Sequence, residues 1–364
     1  MSKGSSPTQT PRNPRPGRPV SLGDIAAKTG LSRTAVSYAL RDHPGIPIDT
    51  RERVKKAAGK LGYIPDARMA LRMERVRDTK TRASVPIAWL NMDKAQDIWE
   101  KKLFLHPYIE GARDRCTEMG YRLDEFWVRE PGMTMRRMSE ILYHRGIQGV
   151  IVAPSAFYSA GHIRLQWKNI AAVSFDKGIL APRIHRVVPD YFYNILLTLK
   201  ILRRSGYRRI GVLLQQQTDR KSTHLYSAGI LYFHSVIPKA ERIPPLIDLM
   251  KSDFQKKFVA WFTKHRPDVV VCHHSEVIEW LAGLGYRVPQ ELGVVHLGIE
   301  DDVKDWAGIR QRKRDIGASA AELVISLVQN YRFGLPDPSQ DTLIQGQWHH
   351  GKTLLIPNPH ASRR

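Results

Sequence analysis

The sequence has only two cysteines in 364 residues, Cys116 and Cys272. They stand far apart and in no metal-ligating or redox spacing, which excludes a disulfide framework and suits two buried apolar thiols in a reducing compartment. No stretch approaches the roughly 18 consecutive apolar residues of a membrane span, and the polar, proline-rich N-terminus has no apolar segment behind its basic residues. Neither a spanning helix nor a signal peptide is expected, so the reading is a cytoplasmic protein without a membrane partner. Phosphate loops and nucleophile elbows are missing too. Acidic residues are scarce: 35 Asp and Glu face 57 Lys and Arg, a net charge of +22. At 42% hydrophobic and 25% charged residues, the remainder is that of a globular chain of two or three domains.

The positive charge is concentrated. Residues 1–82 carry 18 Lys/Arg against 7 Asp/Glu, and the other 282 residues carry 39 against 28. The excess is +11 in each part, so charge per residue is more than threefold higher at the N-terminal side. A small cationic module is what a phosphate backbone needs, because each phosphate neutralised releases condensed counterions.

Residues 1–19 hold five prolines and four basic residues and almost nothing apolar, and are expected to form a disordered basic arm. Ser21 followed by Asp24 makes a capping box ahead of Leu22, Ile25 and Ala26, and Gly30 stops that helix. Ser32 caps a second helix over residues 33–41, with Ala35, Val36, Ala39 and Leu40 inward and Arg33, Thr34, Ser37, Tyr38 and Arg41 outward. A third helix is expected from Asp49, with Glu52 as its reciprocal cap, burying Val54, Ala57, Ala58 and Leu61 before Gly62. Two short helices around a glycine turn, the second with a small polar and basic face, suggest a helix-turn-helix that reads the major groove; a generic helical mini-bundle is the alternative.

From Val85 onward, β-rich runs begin at Val85, Leu123, Gly149, Ala171, Arg209, Asp268 and Leu292. Amphipathic helical stretches alternate with them, such as 108–119, 135–144, 193–204 and 256–265. The alternation implies parallel sheets covered on both faces, and about 280 residues favour two lobes with a cleft between them. The expected fold class is therefore a small all-α helix-turn-helix domain joined to a two-lobed α/β core with parallel sheets.

VSLGDIAAKTGLSRTAVSYAL and TRERVKKAAGKLGYIPD resemble the helix-turn-helix, third helix and hinge entry of the lactose/galactose repressor (LacI/GalR) family of bacterial regulators. SGYRRIGVL, RPDVVVC, GYRVPQELGVV and DIGASAAELVISLV resemble its core, in family order. The resemblance implies a periplasmic-binding-protein-like core and these bounds: arm 1–19, helix-turn-helix 20–65, hinge 66–84, and core 85–358. Within the core it implies an N-lobe of about 85–189 plus 310–332 and a C-lobe of about 190–309 plus 333–358. It implies a homodimer on a palindromic double-stranded operator, and with no phosphate loop, nucleophile elbow or metal-ligand spacing in the sequence, no enzyme activity, cofactor or metal is expected. Ser32, Arg33, Thr34, Ser37 and Tyr38 stand where the family contacts bases and phosphates, with Ser21, Leu22, Arg41 and Thr50 beside them. In the hinge, Met69 and Arg72 replace a small residue and a wedge leucine, so Arg68 and Arg72 suggest an electrostatic grip around Met69; a solvated linker is the alternative.

The cleft departs further from the family. Asp176 retains its strand-end carboxylate, but Tyr226 stands for a sugar-clamping arginine, His273 and His274 for an Asn-Asp pair, and Gly298 for an aspartate. Phe104, His106, Tyr108, Tyr226, His273, His274 and Trp306 make an aromatic and imidazole-rich set, which points to a glycan fragment or an aromatic ligand. Adjacent His273 and His274 should face opposite sides of a strand and so not share a metal. An effector-independent architectural or regulatory DNA-binding protein with a degenerate cleft is the competing function.

Overall fold

A computed structural model describes residues 20–43, 45–63, 84–94, 96, 103–155, 161–175, 179–248, 253–299 and 303–355. The chain divides into two units, Met1–Ser84 with Leu327–Arg332, and Val85–Ser326 with Phe333–Arg364. The 1–19 arm and all of the 66–84 hinge except Ser84 lie outside the described residues.

In the first unit three helices enclose a small core. Helix α1 (Leu22–Thr29) starts where the Ser21 amide and hydroxyl both donate to the Asp24 carboxylate at 2.7 Å, and Gly30 ends it at φ 68°. Helix α2 (Arg33–Leu40) starts on Ser32, whose Oγ accepts the Ala35 amide at 3.1 Å. Helix α3 (Ile48–Leu61) ends at Gly62 with φ 69°. Its start differs from the expectation: Pro47 rather than Asp49 is the capping residue, and no side chain caps the helix. Proline's fixed φ delivers the chain into the first turn directly, and Asp49 inside that turn still favours the positive end of the helix dipole. Ile25, Val36, Ala39, Val54 and Ala58 fill the centre.

The second unit holds two six-stranded sheets. Strands β1 (Val85–Asn91), β2 (Tyr121–Trp127), β3 (Gly149–Val152), β5 (Ala171–Ser174), β7 (His185–Pro189) and β13 (Asp341–Ile344) form the first, in the order β13-β7-β5-β3-β1-β2, all parallel. Helices α4 (His106–Glu118) and α5 (Met135–His144) make two of its crossovers, and a two-stranded ribbon of β4 (Gly161–His162) and β6 (Ile179–Ala181) stands beside it. The second sheet uses β8 (Ile210–Gln215), β9 (Leu246–Asp248), β10 (Val269–Cys272), β11 (Gly293–His296), β12 (Ala307–Arg310) and β14 (Gln347–His349), in the order β14-β12-β11-β10-β8-β9. Its helices are α6 (Tyr191–Arg204), α7 (Gln216–Lys221), α8 (Leu225–Ser235), α9 (Phe254–His265) and α10 (Val277–Gly283), and α11 (Lys313–Gln329) packs back on α4.

Two features depart from the sequence reading. Strand β14 pairs antiparallel with β12, so the second sheet has one reversed edge strand. Residues 333–358 also do not stay in the second lobe: β13 pairs with β7 in the first sheet, and Arg186 bridges Asp341 there, before β14 returns to the second. The short, exposed strand β13 carries no hydrophobic run strong enough to announce a sheet, and a partner some 155 residues away decides its place.

Burial is nearly complete in the strand centres: Val150, Ile151, Val269, Val270, Val271, Val294 and Val295 are all 0% exposed. Such continuous apolar strands belong to sheets covered on both faces. Cys116 and Cys272 are fully buried, and burial pushes each thiol up to about 12. A thiol reagent is therefore expected to label neither cysteine in the native protein at pH 8 and both in denaturant; labelling without unfolding would contradict the packing.

Candidate nucleic-acid interface and effector cleft

Helix α2 presents its first turn outward. Ser32, Arg33 and Thr34 are exposed, while Val36 and Ala39, one and two turns on, are at 0% exposure in the core. The Arg33 guanidinium lies over Gly23, where a β-carbon would stand 3.2 Å from two of its nitrogens. Glycine at 23 thus leaves the arginine room beside α1. Ser37 and Arg41 hold each other: the Arg41 guanidinium donates to the Ser37 carbonyl at 3.1 Å and to its hydroxyl at 2.7 Å, and lies 5.9 Å from the Tyr38 ring. Tyr38 stacks on His43 at 4.5 Å. Leu22 is half-buried and packs on the small core, and Ser21 and Thr50 are also half-buried. Free amides and a basic side chain at one helix end suit phosphate and base edges together.

In the second unit the groups gather beyond the carboxyl ends of the strands. After β1, Asp93 is buried and accepts the Ser155 hydroxyl from beyond β3. Lys221 of α7 donates to the Ser155 carbonyl at 2.7 Å, and so ties the second lobe to the first. Within the first lobe, Lys313 at the start of α11 donates its ammonium to the Phe104 carbonyl at 3.1 Å and lies 5.0 Å from the Phe104 ring and 5.9 Å from that of Tyr108. Tyr108 in turn meets Phe175 edge-on at 5.2 Å.

On the second lobe a row of rings runs from Tyr191 through Tyr226, His273 and His296 to Trp306, with centroids 5.3, 5.3, 6.0 and 5.8 Å apart. Tyr226 is fully buried, its hydroxyl accepting from the Gln311 amide at 3.3 Å, and burial pushes its pKa well above 10. His273 has both ring nitrogens covered and, among the described residues, without a hydrogen-bond partner. Burial first, then His296, His274 and Lys313, hold it well below the usual histidine pKa, so it is a neutral imidazole. His274 turns the other way, bonding Asp248 at 3.1 Å and stacking on Phe254 at 4.9 Å.

Residues 21–66 match the family of bacterial regulatory proteins called the lacI family. Residues 21–66 are thus a lacI-type helix-turn-helix domain. A helix-turn-helix transcriptional regulator of Mycolicibacterium smegmatis is 26% identical over 203 residues, which span 56% of this chain and 53% of that protein. The transcriptional repressor PurR of Vibrio vulnificus is 21% identical over 330 residues, covering 85% of this chain and 92% of its own length. Among solved structures, the Lac repressor dimer bound to operator and the anti-inducer ONPF superposes with a TM-score of 0.53 at 17% identity, over 93% of this chain and all of that one. That likeness shows the fold: a helix-turn-helix domain and a two-lobed core.

In this lacI-type domain the structure brings Ser32, Arg33, Thr34, Ser37, Tyr38 and Arg41 onto one side of α2, the first three exposed and the other three half-buried. Arg68, Met69, Arg72 and Asp176 fall outside the described residues. Within the cleft set, Phe104 is exposed, His106 half-buried and Tyr108 nearly covered, while Trp306 packs on the aromatic core of the second lobe. Two expectations need correction. Tyr226 offers no stacking face, because the hydrophobic core encloses its ring, and His274 is committed to Asp248 and Phe254 inside the lobe. Sequence reasoning missed Asp93, Ser155, Lys221, Gln311 and Lys313. Asp93 and Ser155 follow strands β1 and β3 within a few residues, and the rule that ligands bind at carboxyl strand ends would have flagged them.

Proposed function

We propose that the protein binds a palindromic operator as a homodimer and that a small molecule held between the lobes sets its operator affinity. The observation that carries the reading is the exposed Ser32-Arg33-Thr34 turn above a fully buried Val36 and Ala39, in a domain of the lacI family. One short recognition helix reads few bases, so two copies on symmetric half-sites supply the specificity. Ser21, Leu22, Ser37, Tyr38, Arg41 and Thr50 are the supporting contacts, and Arg68, Met69 and Arg72 serve the hinge. The effector lies among Phe104, His106, Tyr108, Asp176, His273 and Trp306, joined by Lys313. It is a glycan fragment or an aromatic compound, since Tyr226 and Gly298 remove the charge-assisted bonds by which a monosaccharide would be clamped. The protein acts in the cytoplasm and is not an enzyme.

Selection of bound sites from a random DNA pool tests the first half: an inverted repeat is expected, and an unselective pool would refute it. Thermal shift over a panel of glycans and aromatic metabolites tests the second, because a specific ligand raises the melting temperature by mass action. The absence of any shift at millimolar ligand would favour an effector-independent regulator.

A further inference from the structure

The second lobe carries a basic surface unrelated to the helix-turn-helix. Three segments meet at the amino-terminal end of its sheet: 203–209 entering β8, 239–242 after α8, and 264–268 entering β10. Hydrogen bonds make them one surface. Arg209 donates to the carbonyls of Arg266, Ala240 and His265, Arg208 to that of Arg203, and Arg203 pairs with Glu241.

These segments hold eight Lys and Arg, namely Arg203, Arg204, Arg208, Arg209, Lys239, Arg242, Lys264 and Arg266, against two carboxylates, Glu241 and Asp268. Neither carboxylate neutralises the outer cations. Asp268 accepts the backbone amides of Arg208 and Arg209 at 2.7 and 3.0 Å, and Glu241 serves Arg203. The guanidiniums of Arg208, Arg209 and Arg242 bond to main-chain carbonyls, which fixes them in place, and no carboxylate among the described residues forms an ion pair with them. Arg204, Arg208, Lys239, Lys264 and Arg266 are exposed. Two histidines register the field: after burial, Lys264 and Arg209 lower the pKa of His265, and Arg242 lowers that of His234.

We propose that this edge is a second nucleic-acid surface, which holds the phosphate backbone of a separate DNA duplex without reading its sequence while the helix-turn-helix holds the operator. Charge complementarity selects the occupant. Fixed, closely spaced cations without paired carboxylates suit a dense line of phosphates, and a protein already on an operator is surrounded by such duplex at high local concentration. The proposal rests on the operator-binding reading only for the first duplex.

The test is a bridging assay with the full chain. Protein is saturated with immobilised operator, excess is washed away, and a labelled duplex without operator is added at low and then rising salt. The wild type is expected to retain the second duplex and to release it steeply with salt. The triple variant Arg204→Glu, Lys239→Glu, Lys264→Glu alters exposed side chains that make no hydrogen bond among the described residues, and should lower retention at least tenfold while operator binding stays within about twofold. A matched triple on the first lobe, Arg137→Glu, Arg164→Glu, Lys168→Glu, makes the same charge change elsewhere and should retain the duplex. Three outcomes overturn the proposal: no retention by the wild type, unchanged retention by the second-lobe triple, or equal loss in both triples. Failure to bind the immobilised operator would instead count against the operator reading.

Discussion

Replacing Arg33 by alanine is expected to relax base preference at one position of each half-site while leaving non-specific DNA binding largely intact. The guanidinium stands at the exposed start of α2, and it pairs with no carboxylate among the described residues, resting instead over Gly23. It is therefore free to swing onto a guanine, where a bidentate contact is worth about 1–3 kcal/mol of discrimination, or roughly 5- to 150-fold. Thr34→Ala should act in the same direction with a smaller effect. The measurement is site selection and competition binding at fixed salt; an unchanged motif at unchanged stringency would remove α2 from the role of recognition helix. Ser32→Ala makes a useful contrast. It deletes the cap that accepts the Ala35 amide and should cost about 1 kcal/mol of domain stability, which weakens binding to all sequences alike.

The second large effect concerns the crossing of α4 and α11. Gly111 faces the Arg314 carbonyl and Gly317 faces the Tyr108 carbonyl so closely that a β-carbon on either glycine would overlap backbone. Backbone cannot turn aside as a side chain can, so the helices must separate. Gly317→Ala is expected to cost about 1–3 kcal/mol, or more where the strain cannot spread. The melting temperature should fall by roughly 2–4 °C per kcal/mol for a domain of this size. Because Tyr108 sits on one helix and Lys313 begins the other, the same change should also disturb the contact of Lys313 with Phe104 and Tyr108. Gly59→Ala provides the opposite sign. It lies in the interior of α3 with open space around its α-carbon, so alanine should stabilise that helix by about 0.5–1 kcal/mol. An unaltered melting curve for Gly317→Ala would mean that the two helices do not pack at this distance.

What could be read directly from the chain was local. The bond between Ser21 and Asp24 spans three residues, as does the cap of Ser32 on Ala35, and the stops at Gly30 and Gly62 need only the left-handed backbone that glycine takes at no steric cost. Strand cores such as Val150–Val152 and Val269–Val271 announce themselves because a strand buried on both faces has no polar position. His273 and His274 follow the end of β10 and go to separate partners, Tyr226 with His296 and Asp248 with Phe254. These features determined the helix-turn-helix, the alternation of strands and helices, and the outward face of α2.

The cleft was decided elsewhere. Asp93 and Ser155 are 62 residues apart, Lys221 and Ser155 are 66, His274 and Asp248 are 26, and Lys313 and Phe104 are 209. Nothing in the composition of either partner marks such a pair, since an exposed lysine and a bridging one have the same sequence signal. Tyr226 shows the same gap from the other side: a tyrosine where an arginine was expected reads as a stacking surface, yet packing against Tyr191 and His273 closes its faces. The placement of β13 in the first sheet likewise depends on hydrogen bonds to β7, which only the folded chain brings within reach. Capping and periodicity act over one or two turns and are written in consecutive residues, whereas pairing between distant segments depends on which strand ends the sheets carry to the same place.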